Sequence, residues 1–188
     1  MPAIPTPPEE ASAVWKPVMF RAVVATAFGA LSVFWQDPSE AVVAYLFAAF
    51  LVLSAKSVWD FAVARIVPFA VRGLLGGAAI AGAFSAVFLL VFASTTAAVI
   101  AGGLGLAVAG LLELTTYFRH RGDLVPVREF LLTGAVSLVT GVLLLAWPGL
   151  DQHGVLGIAG GGSIIVAVFL LIAAFGYRHD AREGATER

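Results

Sequence analysis

The most constraining feature of the chain is a pair of apolar runs, REFLLTGAVSLVTGVLLLAW and GVLGIAGGGSIIVAVFLLIAAFGY, separated only by the polar break PGLDQH between Arg128 and Tyr177. Each run has about the 20 residues that, at about 1.5 Å per residue, cross a hydrocarbon core of roughly 30 Å. Two such runs with so short a link make a transmembrane helical hairpin. Near the amino terminus FRAVVATAFGALSVFW, QDPSE and AVVAYLFAAFLVLSAKSVW repeat the plan, with Trp35 and Trp147 each closing a first helix at the turn. A third copy lies between them, so the chain reads as three hairpins and six spans.

Composition agrees. Of 188 residues, 60% are hydrophobic and only 12% charged, and the mean hydropathy is +0.97; soluble domains carry about a quarter charged residues. The expected fold is therefore all-α, a polytopic membrane protein of six transmembrane helices arranged as three repeated helical hairpins. The proline-rich residues 1–16 read as a disordered tail without the basic region of a secretory signal. Residues 17–177 form the membrane domain, with hairpins at about 17–61, 68–118 and 126–177, and residues 178–188 a charged carboxy-terminal tail. No cysteine is present, which excludes disulfides and thiol chemistry.

Charge sets the expected orientation. All 11 Lys and Arg residues lie in the tails, at the entry to span one (Arg21), or beside the links between spans two and three and between four and five. The turns on the other side carry Asp37, Glu40 and Asp151 and no basic residue. The positive-inside rule then puts both termini in the cytoplasm. Arg21, Arg72 and Arg128 each stand near the start of an odd span, preceded by Pro17, Pro68 and Pro126. With Trp35 and Trp147 at the outer interface, Arg21 and Arg128 read as interface anchors against anionic lipid headgroups.

Ionisable residues within spans are the first functional candidates, since each costs about 2.5–3.5 kcal/mol at mid-membrane. Glu113 near the inner end of span four is expected to meet Lys56 or Arg72 across a helix seam, and Lys56 with Asp60 can pair at i, i+4. The plain reading is structural ion pairing; the sharper one is a proton relay through Glu113. Asp37, Glu40, Asp151 and His153 form an outer face that would titrate in acid, against the plainer reading of solvated turn residues. Small residues at every fourth position mark packing seams: Gly73, Gly77, Ala81 and Ser85 in span three, Gly157 and Gly161 in span six, and Thr133, Ser137 and Gly141 in span five. They pack the bundle itself or form a homo-oligomer contact. No catalytic dyad, metal-ligand spacing or nucleotide fingerprint occurs, so no enzyme activity, cofactor or nucleic-acid partner is expected.

The hairpins FGALSVFWQDPSEAVVAYLF and VTGVLLLAWPGLDQHGVLGIAGGG share a Gly-to-Trp spacing, Gly29 to Trp35 and Gly141 to Trp147, and span four ends in LLELTTYFRHRG. In these features the chain resembles the HdeD/DUF308 family of acid-resistance membrane proteins, over about Pro17 to Tyr177. The middle repeat departs from the pattern, with AST where the others have Trp and a polar turn. The resemblance implies a six-span inner-membrane protein, associated with acid or envelope stress, without catalytic residues. Two alternatives stand beside that role: a small transporter or channel for a neutral or apolar solute, and a membrane scaffold or assembly subunit with a membrane-protein partner.

Overall fold

The computed structural model describes residues 6–147 and 149–186, with side chains up to residue 183. Among the described residues six helices are long and apolar enough to cross a membrane: α1 Pro8–Phe34, α2 Glu40–Ala62, α3 Phe69–Val91, α4 Thr95–His120, α5 Val125–Ala146 and α6, which starts at Gln152 and runs to Thr186. The chain is a multi-pass membrane protein. Large apolar side chains such as Phe84, Ile80 and Ile172 are 74, 64 and 68% exposed on the outside of the bundle, where only lipid would spare them contact with water.

The helix starts are encoded locally. At one end of the bundle α2 and α4 are capped by Ser39 and Ser94, whose hydroxyls accept from Val42 N at 3.4 Å and Ala97 N at 3.2 Å; Asp151 does the same for α6, accepting from Gly154 N at 2.8 Å. Each cap satisfies one of the amide donors that a first turn leaves without a partner. Ser94 thus does in the AST turn what Ser39 does in QDPSE. Gly149, at φ +84, turns the chain between α5 and α6, a conformation that a β-carbon disfavours. At the opposite end prolines open the odd helices: Pro8 in the first turn of α1, Pro68 as the cap of α3, and Pro126 in the single 3-10 turn Val125–Arg128 that begins α5.

Short links make consecutive helices antiparallel, and all six close into a ring, each packing on its two neighbours in sequence and α6 returning to α1. Thr6 N donates to Asp180 Oδ2 at 3.1 Å and Val125 N to Glu10 Oε2 at 3.1 Å, so both ends of the described chain meet at one end of the bundle. At the other end Thr95 N donates to Glu40 Oε2 at 3.1 Å and His153 Nε2 donates to Gln36 O at 2.6 Å. The most extensive contacts are α1 with α6, α4 with α5 and α2 with α3. The expected hairpins are thus neighbours, while the tightest seams run between them.

Two further expectations change. Residues 8–16 are helical, not a tail, because α1 begins at Pro8 and carries Pro17 in its interior; residues 1–5 lie outside the described region. Residues 178–183 continue α6, and Arg188 lies outside the described region. Arg21 is therefore about three and a half turns into α1, not at its start.

Candidate functional site

Buried apolar side chains form two clusters. One surrounds Val58, Val71, Leu75, Val127 and Leu170 towards the end with the termini; the other surrounds Phe28, Phe47, Leu89, Leu144 and Leu156 towards the opposite end. Between them, on the bundle axis, lies a cavity of about 40 Å³ lined by residues of all six helices. Most of its walls are apolar or small, as with Ala25, Ala78 and Gly82, but Ser54, Ser137, Thr140 and Ser163 add hydroxyls. A buried water needs about 10–15 Å³ of this kind of space, so the cavity has room for about three.

Two rings of contacts close it. On the side of Glu40, Phe50 lines the cavity and stacks on Phe28 at 4.4 Å and Phe47 at 6.3 Å between centroids. Phe47 is fully buried and its ring sits on Gly102, where a β-carbon would collide with it. Gly102 ends a stretch of π-helix, Ala98–Gly102, which widens one turn of α4 beside this ring.

On the side of the termini the floor is an ion pair. Arg21 Nη2 donates to Glu113 Oε1 at 2.7 Å, the two side chains being 11 and 1% exposed. Thr133 Oγ1 donates to Glu113 Oε2 at 2.6 Å. Helices α1, α4 and α5 thus each contribute one member. Beyond Arg21 lies a smaller cavity, about 20 Å³, lined by Arg21, Ser57, Glu129 and Thr133 among others. There Ser57 Oγ donates to Pro17 O at 2.7 Å and Tyr177 OH donates to Glu129 Oε1 at 2.9 Å. A guanidinium has five N–H donors, and Arg21 borders both cavities while its one described hydrogen bond goes to Glu113. Ser54 Oγ is buried on the wall of the larger cavity with no hydrogen-bond partner. Such groups are satisfied by water or by a small polar solute.

The partner expected for Glu113 is corrected. Lys56 pairs with Asp60 on an exposed face of α2. Arg72 donates to the carbonyls of Val67 at 2.9 Å and Ala64 at 3.3 Å in the link before α3. The early start of α1 carries Arg21 inward to Glu113, so it does not act as an interface anchor. Arg128 is exposed at the start of α5, and Trp35 and Trp147 are 43 and 61% exposed at the helix ends opposite it.

Of the outer-end candidates, Glu40, Asp151 and His153 each make the link or cap bond given above, and Asp37 is exposed. Among the expected seams, Gly77 would meet Leu112 at 3.3 Å, and Ser85, one turn beyond Ala81, packs on Gly105. Gly73, Gly157 and Gly161 instead border open space. In α6 the close contacts are made by Gly160 on Ser32 and Gly162 on Thr140, because a small-residue repeat gives a spacing and not the identity of the neighbour. The cavity hydroxyls Ser54, Thr140 and Ser163 are visible in the sequence only as polar interruptions of apolar runs.

Residues 132–186, the greater part of α5 with α6, match the family model described as a short repeat of unknown function, DUF308. No curated protein and no solved structure matches the chain. The matched segment contributes Thr133, Ser137, Thr140 and Ser163 to the site, whereas Arg21 and Glu113 lie outside it.

Proposed function

We propose, on the premise that a chain with a DUF308 repeat over residues 132–186 belongs to that family, that this protein is a non-enzymatic component of the bacterial inner membrane whose axial cavity is a hydrated chamber for a small solute. Both termini lie in the cytoplasm in this reading, which rests on the one-sided placement of all 11 basic residues. The observation that carries it is Ser54: a buried hydroxyl with no partner, on the wall of a cavity that every helix borders. A bundle built only to pack would place an apolar residue there. The solute enters from the cytoplasmic side past Arg21 and Glu113, and the phenylalanine ring closes the far side. The resemblance to the HdeD type suggests acid or envelope stress as the setting.

The chain has no native cysteine, so Ser54→Cys supplies the single thiol for an accessibility test. In lipid nanodiscs a small cationic methanethiosulfonate reagent should label it at a measurable rate. An unreactive thiol in a folded protein would mean a dry packing defect and end this reading.

A further inference from the structure

We infer that the larger cavity binds a small monovalent oxyanion together with one proton: the proton goes to Glu113, and the anion takes the place of the Glu113 carboxylate on Arg21. This deepens the chamber reading and rests on it.

The argument begins with charge. Arg21 and Glu113 are the two ionisable residues that line this cavity, and they cancel. A solute anion entering alone would leave an unmatched charge where desolvation penalises it heavily. An anion accompanied by a proton does not. Before binding, Arg21 and Glu113 form a neutral pair; afterwards Arg21 and the anion form one, and Glu113 is a neutral acid. One ion pair breaks and another forms, and net charge is unchanged.

Donor chemistry points the same way. The cavity holds the guanidinium, which can only donate, and the unpartnered Ser54 hydroxyl, which can do so, and one acceptor would satisfy both. Guanidinium binds a planar carboxylate in a two-pronged geometry. Glu113 meets the guanidinium through one oxygen only, Oε1 at 2.7 Å from Arg21 Nη2, and leaves the second prong open. Protonated, Glu113 would lose its charge attraction to Arg21 while Thr133 still donates to its other oxygen. With space for about three waters, the cavity suits an anion of three or four heavy atoms.

The proton would arrive from the end that holds the termini. The smaller cavity reaches Arg21 from that side, with Glu129 of α5 in its wall and Tyr177 of α6 bonded to Glu129. On the other packed helices, Lys56 and Asp60 of α2 pair away from the axis, and Arg72 of α3 is bonded to carbonyls of the preceding link.

The test is calorimetric titration of the full chain in nanodiscs with sodium acetate, in two buffers of different ionisation enthalpy. The wild type should take up about one proton per acetate, and its affinity should fall about tenfold per unit rise in pH where acetate is ionised. Glu113→Gln should bind acetate without proton uptake and without that slope. Ser54→Ala should weaken binding about fivefold. Arg21→Lys, which keeps the charge and loses the fork, should still take up the proton but bind less tightly, and provides the decision should Glu113→Gln fail to assemble. Proton uptake that persists in Glu113→Gln would show acetic acid entering intact and overturn the inference. Equal affinity in Arg21→Lys, or no acetate binding while Ser54→Cys is labelled, would overturn it and leave the chamber reading standing.

Discussion

A methyl group added to Gly134 of α5 would lie 2.9 Å from the carbonyl oxygen of Gly110 in α4 and 2.9 Å from the backbone nitrogen of Leu114. The two helices meet backbone to backbone. One heptad along, a methyl on Gly141 would lie 2.5 Å from Gly103 O and from Ala107 N. Glycines recurring at that step keep the two backbones close along one seam. In lipid, where packing rather than expulsion from water joins helices, such an approach is a main source of association energy. It also fixes Glu113 and Thr133, each adjacent in sequence to the contact, at bonding distance.

Gly134→Ala should therefore destabilise the protein by about 1–3 kcal/mol, because backbone atoms cannot move aside as a side chain would. Gly157→Ala, which borders open space, should change stability by less than about 0.5 kcal/mol. Thermal unfolding of the detergent-solubilised variants compares the two, and equal losses would contradict this packing.

Removing one member of the Arg21–Glu113 pair leaves the other charged and buried, and Arg21→Ala or Glu113→Ala should each cost about 3–5 kcal/mol. The double replacement Arg21→Met with Glu113→Leu removes both charges and should cost much less than the two single losses combined. A double-mutant cycle on unfolding gives the coupling directly; additive losses would mean that the pair is not formed.

Phe47 is fully buried between Phe28, Phe50 and the backbone of Gly102. Phe47→Ala should cost about 3–5 kcal/mol. It should also open the roof of the cavity, so that Ser54→Cys becomes reactive to reagent applied from the side of Glu40. Labelling rates from the two faces of reconstituted vesicles measure this.

Lys56 and Asp60 are 60 and 41% exposed. Lys56→Ala should alter stability by less than about 1 kcal/mol, the usual range for an exposed pair. A larger loss in the same thermal assay would assign this pair a role in the fold that its position does not suggest.

Six spans and the links between them are legible in the sequence because lipid imposes length and apolarity on each segment independently. The amino-terminal end of the first helix and the carboxy-terminal end of the last, which run on past the apolar stretch, are not. The site is only half legible. Glu113 stands out as an acidic residue in an apolar run, but its partner depends on where α1 begins. Pro17 has the signature of a first-turn residue, and nothing local to it reveals that Pro8 opens the same helix about two and a half turns earlier. The hydroxyls of Ser54, Thr140 and Ser163 depend on three helices facing one axis, a relation between distant segments that a single helix does not encode.

Closure of the ring by α1 against α6 has a consequence for biogenesis. The chain emerges from the ribosome amino terminus first, so Arg21 must reach the bilayer before the segment carrying Glu113 has been made, and α6 finds its berth against α1 only after the four helices between them. Until then the nascent protein is an open crescent with a cation awaiting its counterion. Ribosome-stalled intermediates should accordingly be the stage most dependent on insertion factors.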